Sequence, residues 1–436
     1  MRFPFIVQRC ILAMTVAVLP LADVSAQTSP QPALTPAQPL TMEQLEKMAL
    51  DSHPAMGEGH GLADAARSRA RQAGALPNPE IGYVAEEIPL QGNAPGGRHG
   101  VFIEQVIPLG GKRGLARSVF DQEARRLEAV LSRERQALVT RVRQLAYSAA
   151  AAARRVDLRD RLSQLAAETV TTTRQLFNIG SADQPDILEA ETEADLARLA
   201  AEEARNHQQR IWRMLAAAVD APELPLQPLA IDLEAPLPDI QLDMERERLL
   251  RDSPEMAVLL ARMDRENAAL QREQRETFPD LFLRGAPLYN REPGEPASRS
   301  TGWEASIEVG VRVPLFNRNE RAIAAAASEA SAARYANERA RLDLEARLAA
   351  AFGDHLNARP RAQVLKTEAL PRAERAYEMY RARYREMAAP YPRVLTTQRT
   401  LFELSVAYID ALERAWRSAA LITGTLVPGD GPSGDR

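Results

Sequence analysis

The chain has 436 residues, long enough for two or three ordinary domains or for one elongated one. Charged residues make up 26% of it and aromatic residues only 5%, which is typical of long Ala/Leu/Arg/Glu helices rather than of a compact aromatic core. The formal net charge is −4, and this argues against nucleic acid as a partner, because such a partner favours a basic surface.

The first 26 residues have the pattern of a cleaved secretory signal peptide. Arg2 and Arg9 precede an apolar run over residues 11–22 that is too short to span a bilayer, and small residues follow up to Ala26. Cys10, the only cysteine, lies inside this segment, so the mature chain is expected to have no disulfide and no thiolate chemistry. Residues 27–40 then form a proline-rich linker.

An internal duplication organises the rest of the chain. Four prolines of the first half recur in the same order in the second half, 200 to 207 positions later: Pro54 and Pro254, Pro79 and Pro279, Pro108 and Pro314, Pro185 and Pro392. Such self-similarity is the signature of a repeated structural unit. We therefore predict repeat 1 over residues 41–220, a proline-rich connection over 221–241, repeat 2 over 242–424 and a flexible tail over 425–436.

Both repeats predict the same elements. These are an opening helix (42–74 and 242–276), a β-hairpin (80–107 and 280–313), a long helical run (113–178 and 319–387), a turn near 179–185 or 387–392, and a return helix (184–219 and 393–424). A run of about 65 residues makes a helix of about 100 Å. The opening and return helices together match that length, so we expect them to stack end to end beside the long helix. Thr41 is the expected N-cap of the first helix. Pro360 and Pro371 predict a segmented second long helix.

The last predicted strand, "GWEASIEVGVRV", alternates between apolar and polar residues. Trp303 and Ile307 belong to the apolar set, whereas Glu304, Glu308 and Arg312 belong to the polar set. One interpretation is a soluble sheet with one face on a core. However, the long helices already have apolar seams of their own to bury, and strands of 9 to 12 residues have the length of tilted transmembrane strands. We therefore favour membrane strands.

Four strands cannot close a barrel, and lipid does not tolerate unpaired strand edges. The chain is therefore expected to oligomerise, and three copies would supply twelve strands. In such a barrel Glu304, Glu308 and Arg312 would face a water-filled lumen and the apolar set would face lipid. Tyr83 and Tyr289 would then join Trp303 in an aromatic belt at the membrane surface.

The duplication, together with "PNPEIGY", "IEQVIPLGGKRG" and "FNIGSADQPDILEAE", resembles the TolC-like outer-membrane efflux proteins and, among them, the CzcC-like branch that serves heavy-metal pumps. The resemblance covers about residues 40–424. It implies a mostly α, α+β membrane protein: a homotrimer with a 12-stranded outer-membrane β-barrel, four strands per chain, continuing into a periplasmic α-helical coiled-coil barrel. It also implies a passive exit duct that docks onto a periplasmic adaptor (membrane fusion) protein and an inner-membrane RND-type pump.

The resemblance further implies a periplasmic tip that contacts the adaptor. The family's tip motif maps onto the two predicted turns, at Phe177, Gly180, Asp186 and Leu188 in repeat 1 and at Tyr384, Arg393 and Leu395 in repeat 2. Repeat 2 departs from the motif, because Met387 stands near the counterpart of Gly180 and "AAPYPR" contains no acid. Asp183 and Asp186 are therefore the candidates for an acidic ring.

Signatures of enzymes, cofactors and metal sites are missing from the sequence. The five histidines are scattered without cysteine partners, "LGGKRG" lacks the spacing of a phosphate-binding loop, and no G-x-S-x-G occurs. We therefore expect neither catalysis nor a bound cofactor or metal. Two alternatives remain open: a soluble periplasmic coiled-coil scaffold or adaptor, and an outer-membrane duct for protein secretion. Metal cations and organic compounds are both open as the solute.

Overall fold

The computed structural model describes residues 39–88, 96–291 and 302–427, so the predicted signal peptide, most of the linker after it and most of the tail lie outside the described residues. The elements are, in chain order, α1 (Met42–Ser52), α2 (Pro54–Ala73), β1 (Glu80–Glu86), β2 (Arg98–Ile107), α3 (Lys112–Asn178), α4 (Gln184–Ala218), α5 (Leu242–Asp252), α6 (Pro254–Arg275), β3 (Asp280–Asn290), β4 (Gly302–Arg312), α7 (Glu320–Val364), a π-helical turn (Leu365–Ala369), α8 (Leu370–Arg385) and α9 (Tyr391–Thr423). The prediction of a mostly helical chain with four strands is confirmed.

The opening segment of each repeat consists of two helices where the sequence predicts one. His53 and Ser253 have extended backbones, with ψ of 127° and 124°, and a proline begins the helix that follows each of them. A proline pushes the preceding residue out of the helical region but fits well as the first residue of a helix. Thr41 caps α1 as predicted, through a reciprocal pair of hydrogen bonds with Gln44.

The short helices stack end to end beside the long ones. Midway along α3, Leu45 at the start of α1 and Leu215 near the end of α4 are buried in one cluster with Val142 of α3. In repeat 2 the same arrangement brings Leu249 of α5 and Ile422 of α9 onto the middle of α7. In each repeat, one buried cluster therefore lies where three helices meet halfway along the long one.

The connection between the repeats packs against these cores. The indole Nε1 of Trp212 donates a hydrogen bond to the carbonyl of Leu224 at 2.9 Å, and that of Trp416 donates to the carbonyl of Leu233 at 2.9 Å. Leu40 also pairs with Leu229 in a short parallel bridge. Residues 221–241 are therefore held against both repeats.

Between equivalent landmarks, the second long helical run has one residue more than the first. The buried pair Leu138 and Leu344 is 206 positions apart, whereas Gly180 and Met387, which occupy equivalent turn positions, are 207 apart. The π-helical turn lies between these landmarks, and in it the N–H of Leu370 bonds to the carbonyl of residue 365. Because such a bond encloses one residue more than an α-helical bond, the turn accommodates the extra residue. The expected segmentation takes this form, while Pro360 stays inside α7.

The four strands form one antiparallel sheet in the order β1-β2-β3-β4. The ammonium group of Lys112 anchors the start of α3 beside this sheet, since it lies 2.8 Å from a carboxylate oxygen of Asp280 in β3 and 3.4 Å from one of Glu276. None of the helices in the described residues combines the length and the apolarity needed to cross a bilayer.

Candidate functional site

One face of the sheet is apolar across all four strands. The strand register places Ile81 beside Ile103, Leu283 beside Val309 and Tyr289 beside Trp303 on this face. The side chains are exposed: 73% of Ile81, 76% of Trp303 and 78% of Ile307 are accessible. No described helix covers this face, and an apolar surface of this kind marks contact with lipid or with another chain.

The opposite face carries mixed charge. Glu304, Glu308 and Arg312 all lie on this face, as the alternation predicts. Their cross-strand neighbours in β3 are Leu288, Arg284 and Asp280, respectively. Arg312 is 3.7 Å from a carboxylate oxygen of Glu104, and Arg98 is 3.6 Å from one of Glu304. The three predicted lumen residues therefore share one polar face of the sheet. That they line a pore stays a prediction.

Glycines on this polar face make room for aromatic rings. A Cβ atom at Gly310 would lie 2.3 Å from the ring of Phe282, and one at Gly82 would lie 2.6 Å from the ring of Phe102. The guanidinium of Arg284 lies over the Phe102 ring, 4.0 Å from its centre. The two rings therefore fill the space beside the glycines, and the Phe102 ring also contacts the guanidinium of Arg284.

The sheet has two unpaired edges within the described residues, because β1 and β4 each pair with only one strand. Exposed edges present backbone N–H and C=O groups that readily pair with another chain. The single chain therefore offers an apolar face, a charged face and two open edges, which are the parts of a larger closed sheet.

At the far end of the helices, the first of two turns ends α3 and begins α4. Gly180 has a φ of 75°, a conformation that suits glycine, and the N–H of Ser181 bonds to the carbonyl of Leu176 at 2.8 Å. Asp183 and Asp186 then cap α4 reciprocally, each carboxylate accepting the other residue's backbone N–H, at 3.1 and 3.2 Å. Both candidate acids are therefore held in place by the backbone of the turn.

The second turn has the same backbone geometry with different residues. Met387 takes the place of Gly180 with a φ of 58°, and the N–H of Ala388 bonds to the carbonyl of Arg383 at 2.8 Å. Pro390 stands where Asp183 would and offers no side-chain cap, and Arg393 stands in the position of Asp186. The two turns touch, because the hydroxyl of Ser181 lies 3.0 Å from the sulfur of Met387.

The structure divides the predicted tip residues into two groups. Phe177, Gly180, Asp183, Asp186, Leu188 and Arg393 are exposed or half-exposed. Tyr384 and Leu395 are buried at 4% exposure, packed against α3 and α4. The hydroxyl of Tyr384 donates a hydrogen bond to that of Thr173 at 3.2 Å, and burial raises the pKa of this phenol. Their placement at a contact surface is therefore corrected: both are core residues.

Two members of the exposed apolar surface at this end were not predicted from the sequence. Ile179 and Met387 are 61% and 60% exposed, beside Phe177 and Leu188. The available signal was an apolar residue at a turn position, where polar residues are the norm. The described residues contain no cluster of three or more His, Cys, Asp or Glu placed to hold a metal ion.

Met387 has a left-handed backbone conformation that costs a residue with a side chain about 1 kcal/mol or more relative to glycine. We expect Met387→Gly to stabilise the second turn by about 1 kcal/mol and Gly180→Met to destabilise the first by a similar amount. Amide hydrogen exchange at residues 384–390 and 177–183 measures both. Equal exchange in the variants and the unchanged protein would contradict this.

The fold defines a class of mostly helical proteins with a duplicated chain and one four-stranded sheet whose apolar face is exposed. The family model described as "Outer membrane efflux protein" matches residues 45–220 and 246–423. The chain belongs to this outer membrane efflux protein family, and the resemblance predicted from its motifs is confirmed.

Individual relatives agree with this assignment. The cobalt-zinc-cadmium resistance protein CzcC of Cupriavidus metallidurans is 26% identical over 386 residues, which cover 88% of this chain and 90% of CzcC. The solved outer-membrane channel OprN is 18% identical with a TM-score of 0.74, covering 88% of this chain and 89% of OprN. CusC, solved in work on its folding and transmembrane channel formation, is 15% identical with a TM-score of 0.75, covering 88% of this chain and 91% of CusC. The two structures share the fold of this chain.

Proposed function

We propose that three copies of this chain form an outer-membrane exit duct. The observation that carries the proposal is the sheet, whose apolar face is exposed and whose two edges are unpaired in the part of the chain that the structure describes. Three four-stranded sheets joined at β1 and β4 make a closed barrel of twelve strands with lipid outside. Glu304, Glu308 and Arg312 then line the lumen, and the helices extend away from the membrane into the periplasm after signal-peptide cleavage near Ala26.

The duct conducts passively and works with two partners, a periplasmic adaptor protein and an inner-membrane RND-type pump. The adaptor docks at the turn end of the helices, where Phe177, Ile179, Leu188 and Met387 are exposed. Asp183 and Asp186 give the first turn of each copy its acidic group, and Arg393 gives the second turn a basic one. The chain itself carries out no enzymatic reaction.

The proposed cargo is divalent metal cations. Support comes from the similarity to CzcC, which is named for cobalt, zinc and cadmium resistance. A duct needs no tight metal site, because a conduit must release what it conducts. The mixed charge on the polar face is compatible with ions that bind only weakly as they pass.

Fractionation and mass measurement test the assembly. We expect the mature protein in the outer membrane, extractable only with detergent, with the mass of a trimer. A chain that is soluble without detergent as a monomer or dimer would overturn the duct and favour a periplasmic scaffold.

A growth assay tests the cargo separately. Deletion of the gene should sensitise the cell to cobalt, zinc or cadmium, and the intact protein should restore growth. Sensitivity to organic toxicants alone would retain the duct and exclude metal cations as its cargo, and impaired protein export alone would favour a secretion duct.

A further inference from the structure

We propose that the open groove between α7 and α9 receives α4 of a second copy of this chain, with Arg361 paired to Glu203 of that copy. The proposal rests on the proposed function in one respect, namely that several copies assemble. It adds which surfaces meet and in what register. The duplication leads to this proposal. Equivalent residues of the two repeats are expected to make equivalent helix contacts, so a contact between the repeats within one chain predicts a similar contact between neighbouring chains.

Within the chain, α9 of repeat 2 packs along α3 of repeat 1 through a group of charged side chains. The guanidinium of Arg155 lies 2.5 Å from a carboxylate oxygen of Asp410 and 2.6 Å from one of Glu413. The hydroxyl of Ser148 donates to Glu413 at 2.7 Å. This contact joins the long helix of the first repeat to the return helix of the second.

The counterparts of the α3 residues are unused within the chain. Before the π-helical turn the two repeats are 206 positions apart, so Ser148 and Arg155 correspond to Asp354 and Arg361 of α7. Both line an open groove of about 640 Å³ between α7 and α9. Within the described residues neither side chain has an ion pair or a hydrogen bond, and both are exposed.

The counterparts of the α9 residues are equally free. After the π-helical turn the repeats are 207 positions apart, so Asp410 and Glu413 correspond to Glu203 and Asn206 of α4. Both are exposed. In the part of the chain that the structure describes, the carboxylate of Glu203 has no cationic partner.

The chemistry of the four free residues is complementary. Arg361 with Glu203 of the next copy repeats the opposite charges of Arg155 with Asp410. Within the chain, the donor Ser148 lies on the long helix and the acceptor Glu413 on the return helix. Between copies the roles are reversed: the carboxylate of Asp354 on the long helix would accept a hydrogen bond from the amide of Asn206 on the return helix. A random pair of surfaces has no reason to keep both matches.

This contact also closes a ring. It is heterologous, because the second repeat of one copy meets the first repeat of the next, and heterologous contacts form rings when the rotation closes. The sheet follows the same rule: β2 of repeat 1 pairs with β3 of repeat 2 within the chain, so β4 is expected to pair with β1 of the next copy. Helices and strands therefore lead to the same neighbour.

Thiol cross-linking of the full chain tests the proposal. Since Cys10 lies in the predicted signal peptide, the mature protein offers no competing cysteine. The double variant Asp354→Cys, Asn206→Cys, purified in detergent and treated with a short bismaleimide, should give covalent dimers and trimers. The matched control is Asp354→Cys with Gln208→Cys, because Gln208 lies about 200° around α4 from Asn206. The control should stay uncross-linked.

Charge reversal provides a second measurement. Arg361→Glu should lower the temperature at which the detergent-solubilised trimer dissociates, and adding Glu203→Arg should restore most of the loss. Trimers that show neither the selective cross-link nor the rescue would overturn the proposed contact and leave the duct intact. A mass below that of a trimer for the unchanged protein would overturn the duct and this contact together.

Discussion

Replacing Ile307 with arginine is expected to keep the protein out of the outer membrane. Ile307 is 78% exposed on the apolar face of β4, where a lipid contact is proposed. An arginine that faces lipid near the middle of a barrel costs about 2–4 kcal/mol, and a trimer would contain three of them. The amount of protein that resists extraction from membranes by alkaline carbonate measures the effect.

The neighbouring residue supplies the matched control. Ser306 is also exposed, but it lies on the opposite face of the same strand, together with Glu304 and Glu308. Ser306→Arg should therefore leave insertion unchanged, since a lumen accepts charge. If both arginine variants insert equally well, the apolar face does not meet lipid. If both fail equally, the defect comes from the strand and not from its lipid face.

Truncating Leu45 is expected to cause a large loss of stability in repeat 1. Its side chain is fully buried where the start of α1 and the end of α4 meet the middle of α3. Leu45→Ala should lower the free energy of unfolding by about 3 kcal/mol. The truncation loses the transfer free energy of the removed atoms and leaves a cavity in their place. The shift in the denaturant midpoint of the helical circular dichroism signal measures it.

Leu62→Ala in α2 is the control for this variant. Leu62 is 47% exposed, and substitutions at such sites usually change stability by no more than about 0.5 kcal/mol. Equal midpoints for the two variants would mean that the junction of α1, α3 and α4 contributes little to stability and that the repeats are held together elsewhere.

The sequence was informative wherever one physical rule dominates. The alternation in β4 placed Glu304, Glu308 and Arg312 on one face, because side chains on a strand alternate whatever the tertiary context. The order of the elements followed from the repeated prolines. The turn positions of Gly180 and Met387 followed from the same alignment of the two repeats.

Where two rules compete, the sequence was less informative. Proline can begin a helix or interrupt one, so the breaks at Pro54 and Pro254 and the continuity through Pro360 depend on what packs around each site. Tyr384 and Leu395 match a motif expected at a contact surface, but whether a helical residue points inward depends on the position of neighbouring helices. The local sequence pattern carries no information on where the neighbouring helices lie.

The π-helical turn at Leu365–Ala369 has a consequence for how the two halves of the second long helix meet their neighbours. Adding one residue to a continuous α-helix would rotate every later side chain by about 100° and expose the face that packs on the neighbours. The wider turn absorbs that rotation within five residues, so the sheet-side and turn-side halves of the helix each keep their own register. A residue added to the uninterrupted α3 of the first repeat, without such a turn, would instead shift one half of that helix out of register with its neighbours.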